Sequence, residues 1–323
     1  MYRKISAVVI PTIFAIGIIA YMLFRVWDEL FIALENSIPS YLVLGVVICL
    51  FAWGLRGWRY RTILKSLDYP MSITASTACI FVSQTVNLII PARLGDLVRV
   101  FILKHEQNTT YSEGVSSLVV ERIFDLFTVA LLGAVAVFFV LNVPPWFYTV
   151  ILVPIIGGLI FFIVLLFLGN FSSENKYVLI LLTMLHEVKR ASLSVKAILI
   201  LGWSSIVIWL LDILVCAAVI MMFHQQIPWA IIVLAIVIGN LVKAVPLTPG
   251  GIGGYELSLA ITFGLVGVDA AIATLIAVID HLIKNLVTLV GGIVSIYYFG
   301  DWVIPSIRSA LNTKSDGGKD SDH

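Results

Sequence analysis

Long apolar runs, separated by short polar stretches, dominate the chain. A transmembrane helix needs about 20 predominantly apolar residues, and six runs come close to or exceed that length. They cover residues 5–24, 38–55, 115–141, 148–168, 197–223 and 268–299. The pattern therefore predicts an all-α polytopic membrane protein with about six transmembrane helices.

Two further apolar runs are interrupted. Residues 73–90 end at PARLGD and residues 229–245 end at PLTPGGIGG, and a shorter apolar segment follows each break, at 94–103 and 253–266. Proline ends a helix because it lacks the N–H that would continue the hydrogen-bond ladder, and glycine lets the chain turn. We predict two re-entrant, broken-helix hairpins. A pair of tilted full spans at each place is the alternative.

Charge is sparse and unevenly placed. Only 12% of the residues are charged and the mean hydropathy is +1.07, whereas about a quarter of the residues of a soluble domain are charged. If the N-terminus is cytoplasmic, the Lys and Arg residues of the loops and tail fall inside, with Arg25 as the exception. This count assigns Arg56, Arg59, Arg61 and Lys65 to a cytoplasmic loop. We predict a multi-pass protein of the cell (plasma) membrane with both termini cytoplasmic.

Two segments fall outside the predicted spans and hairpins. Residues 177–190 are apolar with a basic end, which favours a helix lying in the membrane interface. Residues 301–323 end in NTKSDGGKDSDH, a composition typical of disorder. We expect this tail to be disordered and cytoplasmic, and residues 1–300 to form a single transmembrane domain.

An internal repeat is visible within that domain. NLIIPARLGD and NLVKAVPLTPGG each combine Asn-Leu, a proline break and a glycine-containing restart, and each precedes a span that opens with charged residues. The predicted units, residues 38–141 and 197–299, run in opposite directions through the membrane. Inverted repeats around discontinuous helices are an architecture of secondary transporters, whose site lies near the bilayer midplane.

Charged residues recur inside the apolar runs, where an ionisable side chain is costly and usually functional. Glu121 and Asp125 share a helix face, and Arg122 lies three residues before Asp125, so we predict an Arg122–Asp125 pair. Asp280 and Lys284 form an i,i+4 pair of the favourable polarity. The hairpins add further charges, and these are Arg93, Asp96, Arg99, Lys243 and Glu256.

Two interpretations of these charges stay open. The first is structural, with ion pairs that fix the helix register. The second is a polar cavity between the repeats in which Arg93, Arg99 and Arg122 bind a phosphate headgroup, since arginine suits bidentate anion recognition. In this interpretation the helix N-termini after Gly95 and Gly251 add amide donors, and carboxylates hold the arginines or carry protons.

Several other functional classes find no support. The net charge is +1, and no basic patch with aromatic residues suggests a nucleic-acid partner. The three cysteines lie in apolar runs without C-x-x-C, the histidines lack metal-ligand spacing, and neither G-x-G-x-x-G nor G-K-[ST] occurs. We expect no metal, no cofactor and no Ser-His-Asp site.

Three motifs together resemble the membrane region of lysylphosphatidylglycerol synthases and the related stand-alone, flippase-like membrane proteins. They are NLIIPARLGDLVRV, VVERIFDL and PLTPGGIGGYELSLA. The resemblance implies a lipid-headgroup site at Arg93, Asp96, Arg99, Glu121, Arg122, Asp125, Gly250, Gly251, Gly253 and Glu256. Asp96 replaces the more usual glutamate, and His281 stands where the family often has arginine. Candidate ion-coupling residues are Asp280, His281 and Lys284.

The resemblance implies a lipid translocase. It would move an anionic phospholipid or a polyprenyl-phosphate-linked lipid between leaflets, passively or coupled to an ion, and would not be an enzyme, because we expect the synthases' aminoacyl-transferase domain to be absent. The alternative is a non-transporting, lipid-binding subunit or scaffold of an envelope lipid or glycan pathway. Expected partners are the anionic lipid, an envelope-pathway enzyme and a second copy of the chain. An intramembrane transferase is a weaker possibility.

Overall fold

The computed structural model describes residues 2–90, 92–141, 143–169, 171, 173–245, 247–300 and 302–305, with side chains from residue 12 onward except at 15 and 30. All regular elements in this part of the chain are helices. They are α1 (Tyr2–Phe24), α2 (Trp27–Glu35), α3 (Ser40–Ser66), α4 (Ile73–Ile89), α5 (Gly95–Gln107), α6 (Tyr111–Val137), α7 (Pro145–Phe167), α8 (Lys176–Ser192), α9 (Val195–Met222), α10 (Trp229–Ala244), α11 (Gly254–Gly264) and α12 (Ala270–Phe299), with a 3-10 turn at Pro249–Gly251.

Each of the six predicted spans is a helix. Four of them, α3, α7, α9 and α12, are long and apolar enough to cross a membrane. Helix α6 is 27 residues long but carries three charges close together near its middle, and the apolar part of α1 with described side chains is only Thr12–Phe24. The protein is therefore an all-helical, multi-pass membrane protein.

The second span extends further than the sequence suggested. Helix α3 continues without interruption to Ser66, so the assignment of Arg56, Arg59, Arg61 and Lys65 to a loop is wrong. Arginine is a good helix former, and Arg59 is 1% exposed, so its side chain points into the protein. Two basic residues counted as cytoplasmic, Arg56 and Arg59, thus lie among the packed helices.

Both predicted breaks interrupt helices. Helices α4 and α5 pack against each other on either side of residues 90–94, and α10 and α11 do so on either side of residues 245–253. With 13 and 11 residues, α5 and α11 are about 20 and 17 Å long. Neither can cross a hydrocarbon core of about 30 Å. The lengths favour the re-entrant arrangement over tilted full spans, and the re-entrant arrangement stays a prediction. The two prolines of the breaks, Pro91 and Pro246, lie outside the described residues.

Helix order and packing repeat along the chain. The order long, broken pair, long occurs in α3–α6 and again in α9–α12. Helix α4 packs on α12, and α10 packs on α6, so each broken helix lies on the last helix of the other unit. A glycine permits each of these close contacts. A Cβ on Gly133 of α6 would lie 2.6 Å from Val237 of α10, and a Cβ on Gly292 of α12 would lie 1.9 Å from Thr85 of α4. Each glycine follows a charged residue of its helix, Glu121 or Asp280, by 12 residues. This reciprocity is what an inverted repeat predicts, although the repeat itself stays a prediction.

Helix α8 covers the predicted interfacial segment. Its first turns expose apolar side chains such as Tyr177 and Leu181. At its end, Lys189 donates to the carbonyls of Leu166 and Leu168 at the end of α7, and Arg190 pairs with Asp68 and Glu187. The predicted interfacial position is compatible with these contacts. Of the predicted disordered tail, only residues 302–305 lie in the described part of the chain.

Candidate functional site

A cavity of about 380 Å³ lies between helices α3–α6 and helices α9–α12, which are called the first and the second half below. Helices α3, α4, α5, α6, α9, α10, α11 and α12 and both breaks contribute to its lining, whereas no described residue of α1, α2, α7 or α8 does. Its lining includes five cations and four carboxylates, which are Arg56, Arg93, Arg122, Lys243, Lys284, Asp96, Glu121, Asp125 and Asp212. Charge therefore converges on one space in an otherwise apolar helical protein.

Helix α6 carries the first charge cluster. Arg59 of α3 binds both oxygens of Asp125 at 2.5 and 2.9 Å, and Ser205 of α9 also accepts from Arg59 at 2.7 Å. The predicted Arg122–Asp125 pair is therefore wrong. Asp125 faces α3, where a bidentate guanidinium already occupies it, and Arg122 is oriented toward the break after α4.

Arg99 of α5 binds this cluster on the side away from the cavity. Its guanidinium donates to Glu121 at 2.5 Å and lies 4.8 Å from the centre of the Tyr60 ring. Arg99 is fully buried and does not line the cavity. The structure therefore places it as a residue that positions Glu121, and does not bring it to the place where the predicted headgroup would bind.

The first break is held by Asp96. Its carboxylate accepts from Arg122 at 3.2 Å and from Asn87 at 3.1 Å, while Asn87 accepts from the amide of Gly95 at 2.8 Å. In the headgroup interpretation the helix N-terminus after Gly95 adds amide donors, and the amide of Gly95 itself is already bound to Asn87. Asp96 and Arg122 line the cavity as an ion pair that is still partly accessible, with side chains 18% and 27% exposed.

Arg93 is different from the other arginines. It adopts φ 53° next to Ala92 at φ 64°, a left-handed conformation that costs a non-glycine residue about 1–2 kcal/mol. It lines the cavity, and although its backbone carbonyl accepts from the Asp96 amide at 3.0 Å, its guanidinium makes no hydrogen bond or ion pair with the described residues. A strained backbone thus presents an uncompensated cation to the cavity.

The second charge cluster lies on α11 and α12. Glu256 accepts from the amide of Gly253 at 2.7 Å, which caps α11, and its other oxygen is 2.6 Å from Nδ1 of His281. Nε2 of His281 is 3.1 Å from Lys243 Nζ. A carboxylate on one side and an ammonium on the other fit a neutral imidazole that carries its proton on Nδ1.

Asp280 completes this cluster. It is fully buried, accepts from the Tyr255 hydroxyl at 2.7 Å, and pairs with Lys284 at 2.9 Å as predicted. Glu256, Gly253, Asp280 and His281 lie behind the cavity wall, while Lys284 reaches it with Gly250 and Gly251. Of the seven residues predicted here, three therefore line the cavity and four do not.

Sequence reasoning missed the residues of α3. Asp212 of α9, the one charged residue of the apolar run 197–223, pairs with Arg56 of α3 at 2.8 Å. The available signal was the spacing of Arg56 and Arg59, three apart in a segment without proline, which is compatible with one more turn of a buried helix. Within the described residues no three His, Cys, Asp or Glu side chains are placed to hold a metal ion.

Several known proteins are similar to this chain in sequence. Glycosyltransferase AglD of Haloferax volcanii is 30% identical over 311 residues, a match that covers 82% of this chain and 50% of AglD, so the chain spans about half the length of that relative. UPF0104 membrane proteins of Methanothermobacter thermautotrophicus and Pyrococcus horikoshii are 22% and 26% identical, over 92% and 78% of this chain and 95% and 84% of their own lengths. The model of the lysylphosphatidylglycerol synthase transmembrane region matches residues 11–292. The chain belongs to this family.

Proposed function

We propose that the central cavity binds the anionic phosphate headgroup of a lipid and that the protein moves this lipid between leaflets. The observation that carries the proposal is the pair Arg93 and Lys243. Both line the cavity, and neither has a carboxylate partner among the described residues.

The charge pairing inside the cavity supports an anionic ligand. Arg56 is paired with Asp212, Arg122 with Asp96, and Lys284 with Asp280. The remaining two lining carboxylates, Glu121 and Asp125, are paired with Arg99 and Arg59 behind the wall. Since an uncompensated charge away from water costs several kcal/mol, a bound phosphate stabilises Arg93 and Lys243, and arginine can hold it through two hydrogen bonds.

Depth and size fit a headgroup better than a whole lipid. Glu121 and Asp280 each lie ten residues after the first residue of their helix, which is about 15 Å along the axis and half of the hydrocarbon thickness. A volume of about 380 Å³ is at the small end of ligand pockets. The headgroup would occupy the cavity while the acyl or prenyl chains stay in the surrounding lipid.

Two routes of energy supply remain within the proposal. The sequence contains no G-K-[ST] phosphate-binding motif, and transport is either passive or coupled to an ion. Asp280, His281 and Lys284 are the candidate coupling residues. His281 links Lys243 at the cavity to Glu256 at the N-terminus of α11 through hydrogen bonds, and Asp280 pairs with Lys284, which lines the cavity.

Reconstitution tests the proposal. Liposomes with purified protein and a fluorescent phosphatidylglycerol in the inner leaflet should lose their protected fluorescence faster than protein-free liposomes when an impermeant quencher is added outside. The double variant Arg93→Gly/Lys243→Met should abolish this acceleration, whereas Arg190→Gln on α8, remote from the cavity, should retain it. Equal rates with and without protein, for phosphatidylglycerol and for a polyprenyl phosphate alike, would refute translocation.

The second candidate is a lipid-binding subunit that does not transport. The name and length of AglD favour it, since the region shared with this chain makes up half of a protein named as a glycosyltransferase. In that case the protein acts with an enzyme of a membrane lipid or glycan pathway, or as a homo-oligomer. Lipid binding without movement in liposomes, together with a stoichiometric enzyme partner on purification, would support this candidate over the translocase.

A further inference from the structure

A second cavity, of about 620 Å³, lies beside helix α1. Residues 14–26 form one side of it, and residues 257–274, from α11 and the start of α12, form the other. Its lining is apolar apart from Tyr21, Arg25 and Thr274, and it shares no residue with the lining of the central cavity. This space, called the α1 groove below, is therefore separate from the headgroup site.

The two main walls of the α1 groove are stripes along single helices. On α1 the lining residues recur every three or four positions from Phe14 onward, and on α11 they do so from Leu257 to Gly264. This spacing places side chains on one face of a helix. Two mostly apolar helix faces are thus directed at each other, and a gap stays open between them.

The glycines on these two faces keep the gap open. Gly133 and Gly292 permit close contacts between helices, because a Cβ on either would collide with a neighbouring side chain. In contrast, a Cβ on Gly17 of α1 or on Gly264 of α11 would have no atom within 4 Å. The missing side chains of Gly17 and Gly264 therefore widen the α1 groove and leave room for a thin apolar chain.

The length of the α1 groove matches one leaflet. From Phe14 to Arg25 the α1 wall covers about 16 Å along the helix axis, and half of the hydrocarbon thickness is about 15 Å. Tyr21 and Trp27, at the Arg25 end, are 63% and 55% exposed. Tyrosine and tryptophan are enriched at the membrane–water interface. The groove thus fits a course from the interface toward the bilayer midplane.

Arg25 places a cation at the interfacial end of the groove. Its side chain is exposed, and its guanidinium lies 6.0 Å from the centre of the Tyr21 ring. Asp28 and Glu29 follow in the first turn of α2, yet the guanidinium forms no hydrogen bond or ion pair with them or with any other described residue. At the height of the lipid headgroups, Arg25 is therefore available to a phosphate.

We propose that the α1 groove binds one anionic phospholipid, with an acyl chain between α1 and α11 and the phosphate on Arg25. An apolar chain that ends in an anion is complementary to an apolar groove that ends in a cation. Because α1 also contacts α11 and the 3-10 turn of the second break, the bound lipid fastens α1 to the second half. This site goes beyond the proposed function and does not depend on translocation.

Photolabelling of the full chain tests the site. The protein is reconstituted in phosphatidylcholine vesicles with a trace of phosphatidic acid that carries a diazirine on one acyl chain, and the labelled peptides are mapped by mass spectrometry. Residues 14–26 and 257–274 should be labelled. Below saturation, phosphatidic acid should label them about tenfold more than phosphatidylcholine with the same diazirine chain, as expected for one charge-assisted hydrogen bond.

Variants separate the charge from the space. Arg25→Gln should abolish the preference for phosphatidic acid, whereas Gly17→Leu/Gly264→Leu should reduce groove labelling by both lipids, because the new side chains fill the gap. Gly157→Leu on α7 is the matched control, since Gly157 is also exposed and a Cβ there would also have no atom within 4 Å. It should leave groove labelling unchanged, as should Arg93→Gly in the central cavity.

Three results would overturn the site. Equal labelling by the two lipids, or a preference for phosphatidic acid that survives in Arg25→Gln, would show that Arg25 does not bind the phosphate. Wild-type labelling in Gly17→Leu/Gly264→Leu would reduce the bound lipid to ordinary boundary lipid. Disulfide formation between two Gly17→Cys chains, with the groove unlabelled, would assign the groove to a second copy of the chain.

Discussion

The break after α4 and the break after α10 pass through the same pair of left-handed conformations with different residues. Ala92 and Arg93 have φ 64° and 53°, and Gly250 and Gly251 have φ 61° and 77°. Only the glycines adopt this region without strain. The backbone of the first break is therefore strained and carries a charged side chain, whereas the backbone of the second break has neither the strain nor the side chain.

The second half supplies its cation from another position. A Cβ on Gly251 would lie 2.5 Å from Cγ of Lys243, so the lysine side chain occupies the space that a side chain in the break would need. In the first half, Arg93 projects from the break itself. Both halves thus place a cation at the cavity, although they do so from different positions.

The largest expected effect concerns the ion pair between Arg59 of α3 and Asp125 of α6. Arg59→Met leaves Asp125 partly buried without its guanidinium, and should lower the free energy of unfolding by about 3–5 kcal/mol. Thermal unfolding in detergent measures this loss. The variant Arg59→Met/Asp125→Leu should recover much of it, while Arg190→Gln on the exposed face of α8 should change stability by less than about 1 kcal/mol. An Arg59→Met protein as stable as wild type would contradict the cluster.

Arg93→Gly places a glycine at a left-handed position of the first break, as Gly251 does in the second. We expect at least a tenfold loss of lipid binding, because a cation at the phosphate is removed, together with a stability gain of about 1 kcal/mol from relief of the left-handed strain. Ala92→Gly is the matched control, since it relieves strain and leaves the charge in place. If both variants bind lipid equally well, Arg93 does not contact the headgroup.

The competition between position 251 and Lys243 can be measured by a double-mutant cycle. Gly251→Ala should destabilise the protein by about 2 kcal/mol, through the left-handed backbone and the contact with Lys243. In a Lys243→Ala background Gly251→Ala should cost only the strain of the left-handed backbone, because the contact with the lysine is gone. The interaction energy between positions 251 and 243 should then be about 1 kcal/mol. Denaturation midpoints of the four proteins provide the values, and strict additivity would argue against the shared space.

The smallest effect is expected at Glu256. Glu256→Gln keeps a side-chain acceptor for the Gly253 amide but removes the charge next to His281, so stability should fall by about 1 kcal/mol. Because Glu256 lies behind the cavity wall, lipid movement in liposomes should persist. Loss of movement in a folded Glu256→Gln protein would instead assign the Lys243–His281–Glu256 chain to ion coupling.

Local chemistry made part of this structure predictable. Proline and glycine located both breaks, and charges inside apolar runs located both clusters. The Asp280–Lys284 pair followed from spacing along one helix. The partners of Asp125 and Asp212 did not follow, because Arg59 and Arg56 reach them from α3 across the interior. An ion pair between helices depends on which faces meet, and a single helix does not contain that information.

The same limit applies to the cavity lining. Arg99 and Glu256 have the residue types and positions of headgroup ligands, yet each is used to hold a neighbour, Glu121 or His281. Lys243 could not be distinguished from an ordinary helix-end lysine by sequence. Its relevance rests on the missing side chain of Gly251 and on the position of His281, both of which are tertiary facts.

The reciprocal packing of the broken helices restricts how the molecule can change shape. Since α4 lies on α12 and α10 lies on α6, with Gly292 and Gly133 at the contacts, the halves are interlocked. Pulling them apart as rigid bodies would open both contacts at once and expose close-packed backbone. Small sliding of packed helices leaves such contacts intact. Any opening of the cavity toward one leaflet would therefore be a shear movement, in which these helices slide along each other and stay packed.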